Sequence, residues 1–169
     1  MNKLYASLLI FLFLCLQATA AFEKNREIMN LKIVDSEFHG NGTGKSQYVI
    51  KSSESNQING NTHLLKNITG TYNDLEKKNL FSLSAPNGSF NSDDEILDLY
   101  EQTIIKFNEY NLSANKISVD LNKKIISSKD FTNIKGLNEK ITSQNGFTNV
   151  IKEKTVYFHG PITTTLIRK

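Results

Sequence analysis

Tryptophan is absent from the 169 residues of this chain, proline occurs twice and cysteine once. Each shortage closes off a class of structure. The lone cysteine, Cys15, lies in an apolar N-terminal stretch, so the rest of the chain can hold no internal disulfide and must draw its stability from a packed core. The length allows this, because a domain of about 150 residues buries roughly 68–70% of its unfolded surface. Charge of one sign is also scarce: 20 Lys and Arg stand against 17 Asp and Glu, for a formal charge of +3. With no basic block to follow a phosphate backbone, the chain does not point to nucleic acid as a partner. Pro86 and Pro161 both stand beside turn signals or strand starts, and no interdomain linker is visible.

Long apolar runs are missing too, with one exception. Leu4 to Phe22 is almost wholly apolar, and as a helix it would span about 28 Å, close to a bilayer core of about 30 Å. Lys3 is the only charge before it, which favours an N-terminus held in the cytoplasm. Residues 1–22 are therefore expected to form a transmembrane anchor, and residues 23–169 an exported domain. Ala18-Thr19-Ala20 also fits a signal-peptide cleavage site, which keeps a secreted, soluble form open. Leu14 before Cys15 is not the small residue that precedes a lipidated cysteine, so Cys15 reads as an apolar membrane residue.

What the chain does contain is a repeat. Leu83-Ser84-Ala85, Leu112-Ser113-Ala114 and Ile141-Thr142-Ser143 recur at intervals of 29 residues, and a looser copy, Ile50-Lys51-Ser52, lies 33 residues before the first. An interval of this size means that one hairpin-like unit is stacked to bury a shared apolar face. Period-two alternation supports strands throughout: Phe81, Leu83 and Ala85; Leu97 and Leu99; Ile117, Val119 and Leu121; Val156 and Phe158. Turn formers at Asn41-Gly42-Thr43-Gly44, Asn59-Gly60-Asn61, Pro86-Asn87-Gly88, Asn122-Lys123-Lys124 and Asn145-Gly146 predict short, closely spaced strands. A slip in apolar parity between Ala114 and Ile117 predicts a β-bulge near Asn115-Lys116. The fold class is all-β: a jelly roll, or splayed sandwich, of repeated hairpins.

Chemical motifs are weak. Gly40-Asn41-Gly42-Thr43-Gly44-Lys45-Ser46 imitates a phosphate-binding loop but is one residue short and continues into a strand, so it reads as a hairpin turn. His39, His63 and His159 are too scattered for a metal motif, and Asp93-Asp94-Glu95 reads as a solvated turn. No cofactor or enzymatic activity is indicated. Asn41, Asn67, Asn87 and Asn111 head Asn-X-Ser/Thr triplets, which a chain so rich in Asn, Ser and Thr generates freely; a secreted eukaryotic β-sandwich glycoprotein is the corresponding alternative.

Three C-terminal stretches carry a resemblance. They are Leu112 to Leu121 (LSANKISVDL), Ile134-Lys135-Gly136 leading into Ile141 to Phe147 (ITSQNGF), and Val156-Tyr157-Phe158-His159-Gly160-Pro161. With Asp35 to Gly40 and Tyr48 to Ser52 upstream, they resemble the LptC family of lipopolysaccharide export components. The resemblance implies an inner-membrane anchor and a periplasmic β-jelly-roll that receives lipopolysaccharide from an ABC transporter and passes it to a bridge protein of related fold. A soluble bridge protein of the same superfamily remains the nearest alternative.

Two sets of candidate residues follow. A splayed sandwich exposes an apolar trough for acyl chains, with burial worth about 0.8 kcal/mol per methylene. Leu83, Leu97, Leu99, Ile117, Val119, Val156 and Phe158 are its inward candidates, although residue by residue each reads more simply as core. The resemblance places the bridge protein's docking edge at Gly160, Ile162, Thr163, Thr164, Thr165 and Leu166, where unpaired strand amides could template another β domain.

Overall fold

The computed structural model describes residues 31–41, 45–74 and 79–167. The expected membrane anchor lies outside the described residues. Among the described residues no helix is long and apolar enough to cross a membrane.

Among the described residues, twelve antiparallel strands form one branched sheet. Strands β1 (Leu31–Asn41), β2 (Ser46–Asn59), β3 (Thr62–Asp74), β4 (Asn79–Asn91), β5 (Ile96–Phe107) and β6 (Tyr110–Asp120) run back and forth as successive hairpins. Beyond β6 the sheet divides. One branch continues through β7 (Ile125–Ser128), β10 (Phe147–Val150) and β11 (Thr155–Phe158); the other through β8 (Thr132–Lys135), β9 (Glu139–Ser143) and β12 (Ile162–Leu166).

Strands β1 to β6 are 11 to 14 residues long, not short. The difference arises at Pro86-Asn87-Gly88, which is no turn but lies inside β4, where the register with β5 shifts between Ser84 and Asn87. A proline has no amide to donate, and an irregular stretch of ladder asks for none there. The expected bulge is found at the level of Asn115, but its extra residue is on the neighbouring strand: Glu101 and Gln102 of β5, both at positive φ, oppose Asn115 alone. Asp35 and Asn67 adopt positive φ at the same level of β1 and β3.

Together these irregularities form a crease across the sheet, along which it doubles over into two facing layers. Phe38 of one half of β1 meets Phe90 of the opposite half of β4, and Tyr48 hydrogen-bonds Glu95 at 3.2 Å. The repeat explains the shape. Register aligns Ile50, Gly70, Leu83, Ile105, Leu112, Ile134 and Ile141 in one inward row, so the repeated phrases sit side by side at one level. The third residue of each phrase falls next to the crease, where buried Ser52, Ala85, Ala114 and Ser143 are small. On the far side of the row stand Tyr48, Tyr72, Phe81, Phe107 and Tyr110, again in register. Inward side chains thus grow from hydroxyl and methyl groups at the crease, through aliphatics, to aromatic rings. Close packing of such a gradient forces the layers apart with distance from the crease.

Candidate functional site

The layers part most where the strands cease to cross the crease. Strands β1 to β6 span both layers, whereas β7, β10 and β11 belong to one and β8, β9 and β12 to the other. Between the two branches lies a cavity of about 470 Å³. Ile126, Phe147, Ile151, Val156 and Phe158 form one wall. Phe81, Ile105, Phe107, Leu112, Ile134 and Ile141 form the other. Polar groups keep to the margin: Asn108, Tyr110, Glu139, Asn149 and Lys154. Glu139 accepts a hydrogen bond from the Tyr110 hydroxyl at 3.1 Å, which with its charge raises the tyrosine's pKa.

Local sequence fixes this geometry at the loops that cross the crease. Gly146 has φ +85°, and a Cβ there would stand 2.0 Å from the Ser128 carbonyl oxygen. Glycine alone fits, and it delivers Phe147, fully buried, into the cleft wall. Gly160 has φ +78° and carries the chain from β11 to β12. The buried Ser143 hydroxyl lies 2.8 Å from the Gly146 carbonyl oxygen and 2.6 Å from that of His159, tying both crossings to β9. The Gly-Phe and Phe-x-Gly-Pro signatures are thus the hinge stitches of the two branches.

The inward candidates separate into two groups. Leu83, Leu97, Leu99, Ile117 and Val119 are at most 6% exposed and lie in the closed core rather than along the cleft. Val156 and Phe158 do line the cleft, and Val156 is 40% exposed on an edge strand. No other residue of the cleft wall is among the sequence candidates for lipid contact, although Phe81 stands in the alternation and Leu112 in the repeat. Phe147 had a signal, since it stands in the Gly-Phe step; Ile134 and Ile141 had one in their quoted motif.

Strand β12 is exposed along its whole length. It pairs with β9 on one side, and no described strand pairs its other side. Ile167 donates to the Asn138 carbonyl at 2.8 Å, and Gln144 donates to the Pro161 carbonyl at 3.1 Å. Antiparallel alternation then turns the amides of Thr163 and Thr165 toward β9, and those of Ile162, Thr164 and Leu166 outward. The side chains of Ile162, Thr164 and Leu166 share the inward face of Ile141, yet Ile162 and Leu166 remain exposed because the layers have diverged.

Among the described residues no cluster of His, Cys, Asp or Glu could hold a metal ion. His63 packs against Phe38 with its Nδ1 3.2 Å from the Ser55 hydroxyl, and burial lowers its pKa. The molecule is thus a folded, splayed β-sheet protein whose distinguishing feature is an apolar cleft opening between two edge strands. By sequence, the chain belongs to the family described as lipopolysaccharide-assembly, LptC-related, which it matches over residues 8–166. That family serves lipopolysaccharide transport. No curated protein sequence matches the chain significantly.

Proposed function

We propose that the protein is the membrane-anchored periplasmic component that receives lipopolysaccharide from an inner-membrane ABC transporter and passes it to a periplasmic bridge protein of related β fold. The cleft carries this reading. Its volume falls within the range of about 300–1,000 Å³ that small-molecule sites occupy, and its walls are apolar on both layers. An acyl chain entering sideways from the open edge would keep its polar headgroup beside Glu139 and Lys154. Binding is noncovalent, and the energy for movement comes from the transporter's ATPase.

Residues 1–22 serve as the anchor in this proposal, and the outward amides of Ile162, Thr164 and Leu166 receive the bridge protein's first strand. Lipid contacts centre on Val156 and Phe158, with the buried Phe147 behind them. Leu83, Leu97, Leu99, Ile117 and Val119 touch lipid only if the layers part further. The test is a photoreactive side chain introduced in cells at Val156, which faces the cleft, or at Tyr157, which faces outward on the same strand. Lipopolysaccharide crosslinks at Val156 and not at Tyr157 support the cleft; equal labelling, or none at Val156, rejects it.

A further inference from the structure

At the rim of the closed part, farthest from the crease, two charges are buried together. Asp74 ends β3 on one layer, and Lys124 occupies the β6–β7 turn of the other. Lys124 Nζ lies 3.4 Å from Asp74 Oδ2, and the two side chains are 8% and 4% exposed. Lys124 holds a left-handed backbone at φ +61°, a conformation that strains a non-glycine residue. The buried Tyr72 hydroxyl has no hydrogen bond of ordinary geometry. Burial works against the ammonium, but Tyr72 and Asp74 outweigh it and raise the Lys124 pKa.

This cluster touches both walls of the cleft. Tyr72 stacks on Phe81 with centroids 4.9 Å apart, and the Ile151 amide donates to the Lys124 carbonyl at 3.0 Å. Phe81 and Ile151 line the opposite walls. A buried ion pair is poor glue, since an apolar pair of similar volume often holds a core as well or better. It differs from an apolar pair in what happens on opening. Parted apolar groups meet water at a cost, whereas parted charges regain their hydration.

We infer that Asp74 and Lys124 form a latch between the layers, a closure that opens into water and so lets the cleft widen for its cargo. The inference rests on the cleft being the lipid site, and the experiment separates the two. Full-length protein in lipid nanodiscs, with Cys15→Ala, carries spin labels at Lys140→Cys and Tyr157→Cys on the outer faces of the two branches. Inter-label distances are measured with and without purified lipopolysaccharide, together with lipopolysaccharide capture and thermal melts.

Asp74→Leu with Lys124→Met should shut the latch: a narrow short-distance population, capture down by about tenfold, on the order of 1.4 kcal/mol, and a melt no lower than wild type. Asp74→Asn, which leaves the ammonium unpaired, should broaden the distances toward longer values. Wild-type distances and capture in the double variant overturn the latch, as does a broadened distribution in it. If Asp74→Asn does not fold, the double variant decides alone. If the wild type captures no lipopolysaccharide, the proposed function fails while the label distances still decide the latch.

Discussion

The rings of Phe38 and Phe90 stand on opposite layers and meet edge to face, with centroids 5.3 Å apart at 61°. They close the end of the sandwich that lies opposite the cleft, so the two ends should respond differently to truncation. Phe90→Ala removes a ring that is 2% exposed and should cost about 3–5 kcal/mol in chemical denaturation. Phe158→Ala, in the open cleft, should cost clearly less. Equal losses would mean that the cleft wall is ordinary core.

The crossing loops predict a second contrast. Gly146→Ala combines a left-handed backbone, worth about 1–2 kcal/mol, with a Cβ 2.0 Å from the Ser128 oxygen. It should lower stability by about 2 kcal/mol or more. Gly60→Ala, whose Cβ would meet nothing within 4 Å, should stay within about 0.5 kcal/mol of wild type. Denaturant midpoints of the two variants check this.

Why the strands and the repeat were legible, and the cleft was not, has a physical cause. Alternation is strongest where both neighbours are paired and one face is sealed, which is the centre of the sheet: Leu97, Leu99, Ile117 and Val119. One cleft wall is assembled from short strands and a 3-10 turn, where Val156 and Phe158 alternate but Ile126, Phe147 and Ile151 carry little periodic signal. Pro86-Asn87-Gly88 misled for a related reason. The residues that make a turn also make a crease, because both need irregular pairing and close approach. A Cβ on Gly88 would stand 2.5 Å from the Asp98 carbonyl oxygen. Only the third dimension tells the two apart.

Tyr48 supplies a pH test. Burial first, and then the Glu95 carboxylate, push its pKa up to about 12 from an ordinary value near 10. The folded state therefore favours the neutral phenol. Its stabilisation is complete below about pH 10 and is lost progressively as pH rises toward about 12. Tyr48→Phe should flatten the alkaline stability slope over that interval. Denaturation midpoints that fall equally steeply in the variant would assign the slope to other groups.

The last prediction concerns the free edge of β12. Because the Thr164 amide points away from β9 and the Thr163 amide toward it, two prolines one residue apart should act on different partners. Thr164→Pro removes an outward donor at the centre of the edge and leaves the β9 ladder intact. Capture of the bridge protein in a pull-down should fall by about tenfold or more, equivalent to about 1.4 kcal/mol or more, with the thermal melt unchanged. Thr163→Pro instead removes a bond to β9 and should lower the melt. Side-chain loss is not the cause if Thr164→Val, which keeps the amide, captures normally. Normal capture by Thr164→Pro with an unchanged melt would exclude this edge as the docking strand. A lowered melt in Thr164→Pro would mean that its amide serves the fold after all, and that the alternation along β12 is the reverse of the one drawn from the bonds of Ile167 and Gln144.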